Sequence, residues 1–236
     1  MPVNPCALLI FARRPIPGRV KTRLSPPLSP EEAAELYRCM LLDILDRTSP
    51  LPGIDRLLFY VDEEGAEAYF RGVAPGCRLV PQAEGDLGAR MAGAFRHVFA
   101  AGYGRAAVIG SDSPDLPLLF VTEALERLAA GADAVYVPSD DGGYCLLALR
   151  ELHGVLFGGI AWSTAEVMGA SLARGEEAAL RVELLPEWYD LDTIADLHRP
   201  ELTDAGNGAE RTRRFLRRLS LPALESDEAL SSRAGS

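Results

Sequence analysis

Long hydrophobic runs are missing from this sequence of 236 residues. The first apolar run, residues 7–12, is stopped at once by Arg13 and Arg14, and no later stretch approaches the roughly 20 apolar residues of a membrane-spanning helix. The same run is too short for a secretory signal and has the length of a β-strand. We therefore expect neither secretion nor a membrane partner.

Cysteine and histidine are also scarce. The four cysteines, Cys6, Cys39, Cys77 and Cys145, lie more than 30 residues apart, and this spacing predicts neither a zinc site nor a disulfide framework. The three histidines have no serine or cysteine partner at a spacing that suggests a nucleophilic triad. These features indicate a reduced, cytoplasmic protein.

Positive charge is in short supply, because 24 Lys and Arg residues face 34 Asp and Glu residues and give a net charge of −10. That balance argues against a general nucleic-acid partner. The first predicted strand is followed by neither G-x-x-x-x-G-K-[ST] nor G-x-G-x-x-G. The sequence therefore fits neither a P-loop ATPase nor a dinucleotide dehydrogenase.

Short apolar runs alternate with longer helical patterns, which is typical of an α/β fold with a mostly parallel sheet. Ser29 and Glu32 form a predicted capping box with Pro30 at the first helical position, and another helix is predicted after Asp86. Strands are predicted at residues 6–12, 56–61, 77–80, 106–110, 134–138, 144–149 and 181–185, and later helical patterns at 163–173, 193–199 and 209–219. We expect one domain over residues 1–220 and a flexible tail at 221–236.

A basic loop, residues 13–23, follows the first predicted strand. It carries five positive charges and no negative one, and it contains Lys21, the only lysine among the 24 basic residues. Ligands of open parallel sheets bind outside the carboxyl ends of the strands, and arginine forks with a lysine point charge suit a phosphate chain. The loop predicts a phosphate site with a catalytic Lys21; the alternative is an exposed basic strip.

Acidic residues follow two other predicted strands. Asp112 ends the apolar run 106–110, and Mg²⁺ prefers one or two carboxylates together with phosphate oxygens. Alternatively, Asp112 and Asp115 cap the helix that starts near Pro117. Asp192 is either a helix N-cap or a second ligand of the same ion, if the fold brings it to Asp112, about 80 residues away in sequence.

Two glycine segments permit close approach of the backbone to a ligand. One is Gly85 to Gly88, before a predicted helix, and the other is residues 139–144, before a predicted strand. The second is equally a turn signal of the Asp-Gly type. Trp162 is either a core residue or a substrate platform, and residues 163–166 are typical of a capping box.

These motifs occur in a fixed order: residues 11–15, Pro17-Gly18, residues 21–24, residues 110–114, residues 141–144 and residues 190–193. Together they resemble the nucleotide-diphospho-sugar transferase superfamily, and most closely a glycosyltransferase-A-like branch related to the molybdenum-cofactor and phospholactate guanylyltransferases. The resemblance spans about residues 6–200. Glycosyltransferases of this fold usually carry D-x-D at the metal, whereas this sequence has Asp112-Ser113-Pro114-Asp115.

The resemblance implies a three-layer α/β/α fold, Rossmann-related, in which the basic loop wraps nucleotide phosphates. It implies Mg²⁺ or Mn²⁺ held by Asp112 and Asp192, and catalytic roles for Lys21, Arg13 and Arg23. The implied nucleotide-binding residues are Arg14, Gly18, Gly85, Leu87, Gly88 and Ser111. The implied substrate-binding residues are Asp141, Gly142, Tyr144 and Trp162.

The expected function is that of a metal-dependent transferase that binds a nucleoside triphosphate or a nucleotide sugar by its phosphates and serves a small-molecule acceptor. One alternative is a nucleotidyltransferase of guanylyl or cytidylyl type that releases pyrophosphate. The other is a non-catalytic nucleotide-binding domain, since a sensor could keep the nucleotide site without the chemistry.

Overall fold

Seven strands form one sheet in the computed structural model, which describes residues 4–219. The strands are β1 (Cys6–Ala12), β2 (Ile54–Tyr60), β3 (Arg78–Pro81), β4 (Arg105–Ile109), β5 (Ala134–Pro138), β6 (Tyr144–Leu149) and β7 (Val182–Leu184). The helices are α1 (Pro30–Thr48), α2 (Ala66–Val73), α3 (Leu87–Ala100), α4 (Leu118–Ala129), α5 (Val167–Glu177), α6 (Pro200–Thr203) and α7 (Glu210–Leu216).

The sheet has the order β3-β2-β1-β4-β6-β5-β7, and its neighbouring strands are parallel except where β6 pairs. Strand β6 runs antiparallel to both β4 and β5. It therefore begins at the edge where its neighbours end, so that Tyr144 lies at the carboxyl edge of the sheet. The predicted mostly parallel sheet is confirmed.

Helices cover both faces of the sheet. In β1, Leu8 and Ile10 pack in one core cluster with side chains of α1, α2 and α4, whereas Ala7 and Leu9 pack in another with side chains of α3. Strands that are buried on both faces show continuous apolar runs rather than alternation. Burial on both faces explains the continuous apolar runs in the sequence. The helices on the two faces and the sheet between them form the predicted three-layer α/β/α fold.

Capping explains where α1 and α3 begin. The Ser29 hydroxyl accepts from the Glu32 amide while the Glu32 carboxylate accepts from the Ser29 amide, which confirms the predicted capping box. The Asp86 carboxylate accepts from the Ala89 amide at 2.8 Å. Helix α4 begins after Pro117 with no side-chain cap, so the alternative that Asp112 and Asp115 cap it is wrong.

Two local predictions are wrong. Residues 163–166 form no capping box, because α5 begins only at Val167 and has no side-chain cap. The turn is held instead by the Met168 amide, which donates to the Gly142 carbonyl at 2.8 Å. Helix α2 is missing from the sequence-based assignment, since only Ala66 and Phe70 of its eight residues are buried and so short a pattern has little periodicity.

The carboxyl-terminal part of the described chain packs on α1. The Asp43 carboxylate, 3% exposed, accepts hydrogen bonds from the amide and hydroxyl of Thr212 at the start of α7. The predicted pattern at 193–199 is a 3₁₀ turn at Asp196–His198. The predicted tail, residues 221–236, lies outside the described residues. Within residues 4–219, no helix is long and apolar enough to cross a membrane.

Candidate active site

The carboxyl ends of β1 to β4 and the start of β6 open onto a crevice of about 460 Å³. This edge of an open α/β sheet is where ligands bind. Charged residues from the basic loop, from the β4–α4 connection and from the segment after β7 line it: Arg13, Arg19, Lys21, Arg23, Asp112, Asp190 and Asp192. The basic loop and Asp112 therefore face one crevice.

Lys21 lies between the two aspartates that were predicted to bind metal. Its ammonium is 2.5 Å from Asp112 Oδ1 and 2.8 Å from Asp192 Oδ1, and its side chain is only 4% exposed. Burial alone would lower the pKa of Lys21, but the charges and hydrogen bonds of Asp112 and Asp192 outweigh it and raise the pKa well above its usual value. Lys21 is therefore a fixed positive charge rather than a proton acceptor.

Asp190 is a third acid at the same place. The Ser113 hydroxyl donates a hydrogen bond to its carboxylate. Burial, and next the negative charge of Asp112, raise the pKa of Asp190 above the usual value of a carboxyl group. Asp112 and Asp192 thus place more negative charge around Lys21 than its single ammonium offsets. The raised pKa, about 7, leaves Asp190 partly protonated at neutral pH.

Hydrogen bonds join the β4–α4 connection to the segment after β7. The Leu191 amide donates to the Asp112 carbonyl at 2.9 Å. The buried Asp115 carboxylate accepts from Trp188 Nε1 at 3.2 Å and from the Tyr189 hydroxyl. We call residues 112–115 and 188–191 with these contacts the strut. The strut brings Asp192 to Asp112, which spacing along the chain could not reveal.

Tyr37 of α1 joins the basic loop to the β4–α4 connection. Its hydroxyl oxygen accepts from the Arg13 amide at 3.1 Å and shares a 2.7 Å hydrogen bond with the Ser111 hydroxyl. Burial, and next the charge of Asp112, raise the pKa of Tyr37 to about 12, so it stays neutral. The sequence analysis missed Tyr37, because its helical spacing is that of a core residue.

Known proteins are similar to this chain in sequence and in fold. Residues 44–164 match the family described as "Uncharacterized protein conserved in bacteria (DUF2064)". The chain belongs to this family. It is 30% identical over 208 residues to a phosphoenolpyruvate guanylyltransferase from Nocardia farcinica, covering 84% of this chain and 86% of that protein. It is 29% identical over 235 residues to a 2-phospho-L-lactate guanylyltransferase from Methanothermobacter thermautotrophicus, covering 97% and 98%.

Solved structures agree with this family membership. A crystal structure from Desulfovibrio desulfuricans G20, assigned to the nucleotide-diphospho-sugar transferases, superposes with a TM-score of 0.81 at 31% identity, over 92% of this chain and 98% of that one. A CMP:2-keto-3-deoxy-manno-octonic acid synthetase with bound CTP shares the fold, with a TM-score of 0.56 at 12% identity over 85% and 98%. The family member described here is a transferase of this superfamily, as the resemblance implied.

Several predicted site residues of this family member share the crevice with Lys21. Tyr144 lies in its wall with its hydroxyl 3.7 Å from Met91 Sδ, and burial raises its pKa well above the usual value. Arg23 lies 3.5 Å from Asp192. The predicted residues that line the crevice are Arg13, Lys21, Arg23, Leu87, Ser111, Asp112, Tyr144 and Asp192.

Other predicted residues lie beside the crevice rather than in its wall. Arg14 turns away and donates to the Glu64 carbonyl, and it lines a neighbouring depression. Gly18 turns the basic loop with a φ of 74°. Gly85 has a φ of 109° just before α3. The Asp141 carboxylate accepts from the Gly143 amide in the turn before β6.

Gly88 and Gly142 each lie close to the segment that carries Trp162, Gly88 to Trp162 itself and Gly142 to Ala165. A Cβ atom on Gly88 would lie 2.3 Å from Trp162 Nε1, and one on Gly142 would lie 2.1 Å from the Ala165 carbonyl oxygen. Both glycines therefore allow α3 and the β5–β6 turn to approach the segment that carries Trp162. Ser163, next to Trp162, lines the crevice. The assigned binding roles of these three residues stay predictions.

The crevice also contains residues that the sequence analysis did not assign to the site. The pair of acids at residues 190 and 192 could have indicated Asp190. The glycine segment from Gly85 to Gly88 could have indicated Arg90, which follows it closely in the sequence. No comparable signal pointed to Gln82, which follows a short strand. The unassigned polar residues of the lining are Arg19, Thr22, Tyr37, Gln82, Arg90, Ser163 and Asp190.

A separate group of potential metal ligands lies at the opposite edge of the sheet. Asp133, Glu151 and His153 offer one ligand atom each, all within 4.8 Å of one another. The Asp133 carboxylate, however, accepts from the Arg150 guanidinium and from the Arg181 amide. Asp133 precedes β5 and the other two follow β6, so this group is remote from the crevice.

Proposed function

We propose that this protein is a guanylyl-type nucleotidyltransferase that moves a nucleoside monophosphate from a nucleoside triphosphate onto a small acceptor with a phosphate group. The observation that carries the proposal is the buried ammonium of Lys21, which lies between Asp112 and Asp192 in the crevice that the basic loop borders. The two curated relatives are named for guanylyl transfer to phosphate-bearing carboxylic acids.

The positive charges of the crevice suit a triphosphate. Lys21 is always protonated, and Arg13 and Arg23 are permanently charged forks that match phosphate oxygens. Because the acids already fix Lys21 in place, its charge needs no rearrangement when phosphates bind, which is how a preorganised site lowers a barrier. We assign these residues to offsetting the charge of the phosphate chain.

Asp112 and Asp192 are the residues that would hold Mg²⁺ or Mn²⁺. Carboxylate oxygens are the ligands that these ions prefer, and the carboxylates of Asp112 and Asp192 converge on one cation, the ammonium of Lys21. The residues present therefore fit a divalent cation. When bound, such an ion offsets negative charge on phosphate oxygens.

In the proposed reaction, a phosphate oxygen of the acceptor forms a bond to the α-phosphorus of the nucleotide. The bond from that phosphorus to the oxygen bridging to the β-phosphate breaks, and pyrophosphate leaves with the electron pair. Lys21, Arg13 and Arg23 stabilise the negative charge that grows on the leaving group. Tyr37, which is neutral at physiological pH, holds the basic loop through the Arg13 amide.

Sugar transfer is less consistent with the site. Asp115, three residues after Asp112, could be a second metal ligand only if its carboxylate faced the crevice. It is 1% exposed, and its carboxylate accepts hydrogen bonds from Trp188 and Tyr189. Its carboxylate therefore belongs to the strut. The non-catalytic alternative has no residue in its favour, because each position expected to carry chemistry holds a competent side chain.

The test is incubation with each nucleoside triphosphate, Mg²⁺ and either 2-phospholactate or phosphoenolpyruvate, with detection of pyrophosphate. We expect pyrophosphate from GTP and loss of turnover in a chelator. Release of free nucleoside diphosphate from sugar nucleotides, with no pyrophosphate, would support sugar transfer instead. Nucleotide binding without turnover and without dependence on a divalent ion would favour a sensor. A cytoplasmic location stays a prediction from the sequence.

A further inference from the structure

Arg90 lines the crevice from the side of α3. It belongs to the first turns of α3, and its guanidinium donates from Nη1 to Gln82 Oε1 and from Nε to the Asp86 carbonyl, both at 3.3 Å. Gln82 follows β3 and Asp112 follows β4, and the Gln82 amide reaches across to the carbonyls of Phe59 and Ala12 at the ends of β2 and β1. A nucleotide whose phosphates lie at Lys21 would extend toward Arg90.

Gln82 holds the guanidinium of Arg90 in one orientation. The Gln82 amide nitrogen donates to the Phe59 carbonyl at 2.8 Å and faces the Ala12 carbonyl at 3.4 Å. Because both carbonyls are acceptors, the amide oxygen of Gln82 must point the other way, toward Arg90. The strands β1 and β2 therefore determine the direction in which Arg90 presents its remaining N–H groups.

Arg90, like Arg13, differs from the other cations of the crevice. Lys21, Arg23 and Arg19 each lie within 4.0 Å of a carboxylate, whereas Arg90 has no carboxylate at that distance and Nη2 has no acceptor within residues 4–219. Burial lowers the pKa of Arg90 and the positive charge of Arg13 lowers it further. The partly buried guanidinium thus faces the crevice with donors that need acceptors.

Apolar side chains line part of the crevice, and two of them, Leu87 and Met91, lie on α3 close to Arg90 in sequence. The other three are Phe11, Val61 and Val108. Apolar walls with a single fork of donors suit the flat ring of a base, whose faces are apolar and whose edge carries lone pairs.

We propose that Arg90 selects guanine by donating two N–H groups to O6 and N7 of the base, and that Gln82 is its positioning residue. This inference rests on the proposed nucleotidyl transfer and specifies its nucleotide. Guanine presents two adjacent acceptors on that edge, whereas adenine presents N7 beside an amino donor, and cytosine presents an amino donor. The two N–H donors of Arg90, oriented by Gln82, match the two acceptors of guanine. With adenine, one of these donors would face the amino group, which is itself a donor.

The test is calorimetric binding of GTP, 7-deaza-GTP and ATP to the full chain. In 7-deaza-GTP a C–H group replaces N7, so we expect wild-type protein to bind it roughly tenfold more weakly than GTP. Arg90→Gln should bind GTP roughly tenfold more weakly and should no longer distinguish GTP from 7-deaza-GTP. Arg96→Gln is the matched control, because Arg96 is an exposed arginine on the same helix, and it should behave as wild type.

Gln82→Leu tests the positioning role. It should reduce the preference for GTP over 7-deaza-GTP while leaving binding of 7-deaza-GTP within about twofold, which a general loss of folding would not do. Arg90→Lys retains the charge without the fork, so it should lose the same preference. Thermal unfolding of each variant identifies any that fails to fold, and Arg90→Lys then serves in place of Arg90→Gln.

Two results would overturn the inference. Equal weakening of GTP and 7-deaza-GTP by Arg90→Gln would assign Arg90 to the phosphates, and unchanged GTP binding would remove it from the site. The proposed function is judged separately. If wild-type protein releases pyrophosphate from GTP and Arg90→Gln binds GTP normally, the proposal of nucleotidyl transfer stands and only the role of Arg90 is rejected. Wild-type protein that binds no GTP contradicts both.

Discussion

The main-chain amide of Leu191 donates a hydrogen bond to the main-chain carbonyl of Asp112 at 2.9 Å. This bond joins the segment after β7 to Asp112, which lies just beyond the end of β4. Asp192 directly follows Leu191 in the chain. Two acids that are remote in sequence thereby reach one ammonium, that of Lys21. The position of Lys21 thus depends on this contact as well as on the two acids.

Replacement of Lys21 tests the central charge of the site. Lys21→Ala should lower turnover by roughly a hundredfold or more, because it removes a preorganised positive charge from the phosphate chain. It also removes the ion-pair partner of Asp112 and leaves Asp192 with Arg23 alone. Pyrophosphate release under saturating GTP measures the effect, with Arg96→Gln as the control. Turnover close to wild type in Lys21→Ala would remove this residue from the mechanism.

Replacement of Asp112 tests the proposed metal ligand. Asp112→Asn should weaken binding of Mn²⁺ and lower metal-dependent turnover by roughly a hundredfold, because the amide is a poorer ligand and carries no charge. Titration with Mn²⁺ and pyrophosphate release measure the two effects. Glu126→Gln, at an exposed position on α4, is the control. Unaltered Mn²⁺ binding by Asp112→Asn would place the ion elsewhere.

Removal of the Tyr189 hydroxyl tests the strut. Tyr189→Phe should lower the free energy of unfolding by about 1–3 kcal/mol, because the buried Asp115 carboxylate loses one of its donors. Turnover should fall as well, since the strut positions Asp192 relative to Asp112. Denaturant unfolding and pyrophosphate release test both effects. Loss of stability with wild-type turnover would show that the strut has no influence on the acids.

Asp115 should also make stability depend on pH. Burial raises the pKa of Asp115, so the carboxyl group ionises in the unfolded chain at lower pH than in the folded one. Its contribution to the free energy of unfolding is therefore complete below the pKa of the unfolded chain and is lost as pH rises through the folded value. Asp115→Asn should flatten that decline. Unfolding curves across the acidic range compare the two proteins, and parallel declines would contradict the shift.

Two helical glycines should respond to alanine with opposite signs. Gly88→Ala should destabilise the protein, because the new Cβ atom would lie 2.3 Å from Trp162 Nε1. Gly72→Ala in α2 has no heavy atom within 4 Å of its new Cβ, so it should stabilise by about 0.4–1 kcal/mol through the unfolded chain. Thermal unfolding distinguishes them. A stabilising Gly88→Ala would contradict the close contact with Trp162.

The sequence alone determined the α/β class, most strand positions and the start of α1. Those features depend on neighbouring residues: the continuous apolar runs of β1 and β4, and the capping box of Ser29 and Glu32. The sequence also indicated which residue types bear the chemistry, because a lysine and several arginines in an acidic chain stand out by charge. Each of these conclusions depends only on residues that lie close together in the sequence.

Only the tertiary structure decided which of those residues meet. It placed Lys21 between Asp112 and Asp192, turned Arg14 away from the crevice and gave Asp115 to the strut. It also added Tyr37 and the contact between Gln82 and Arg90. Each of these outcomes depends on contacts between segments that lie far apart along the chain, and the directions of buried side chains are set by packing that no local pattern encodes.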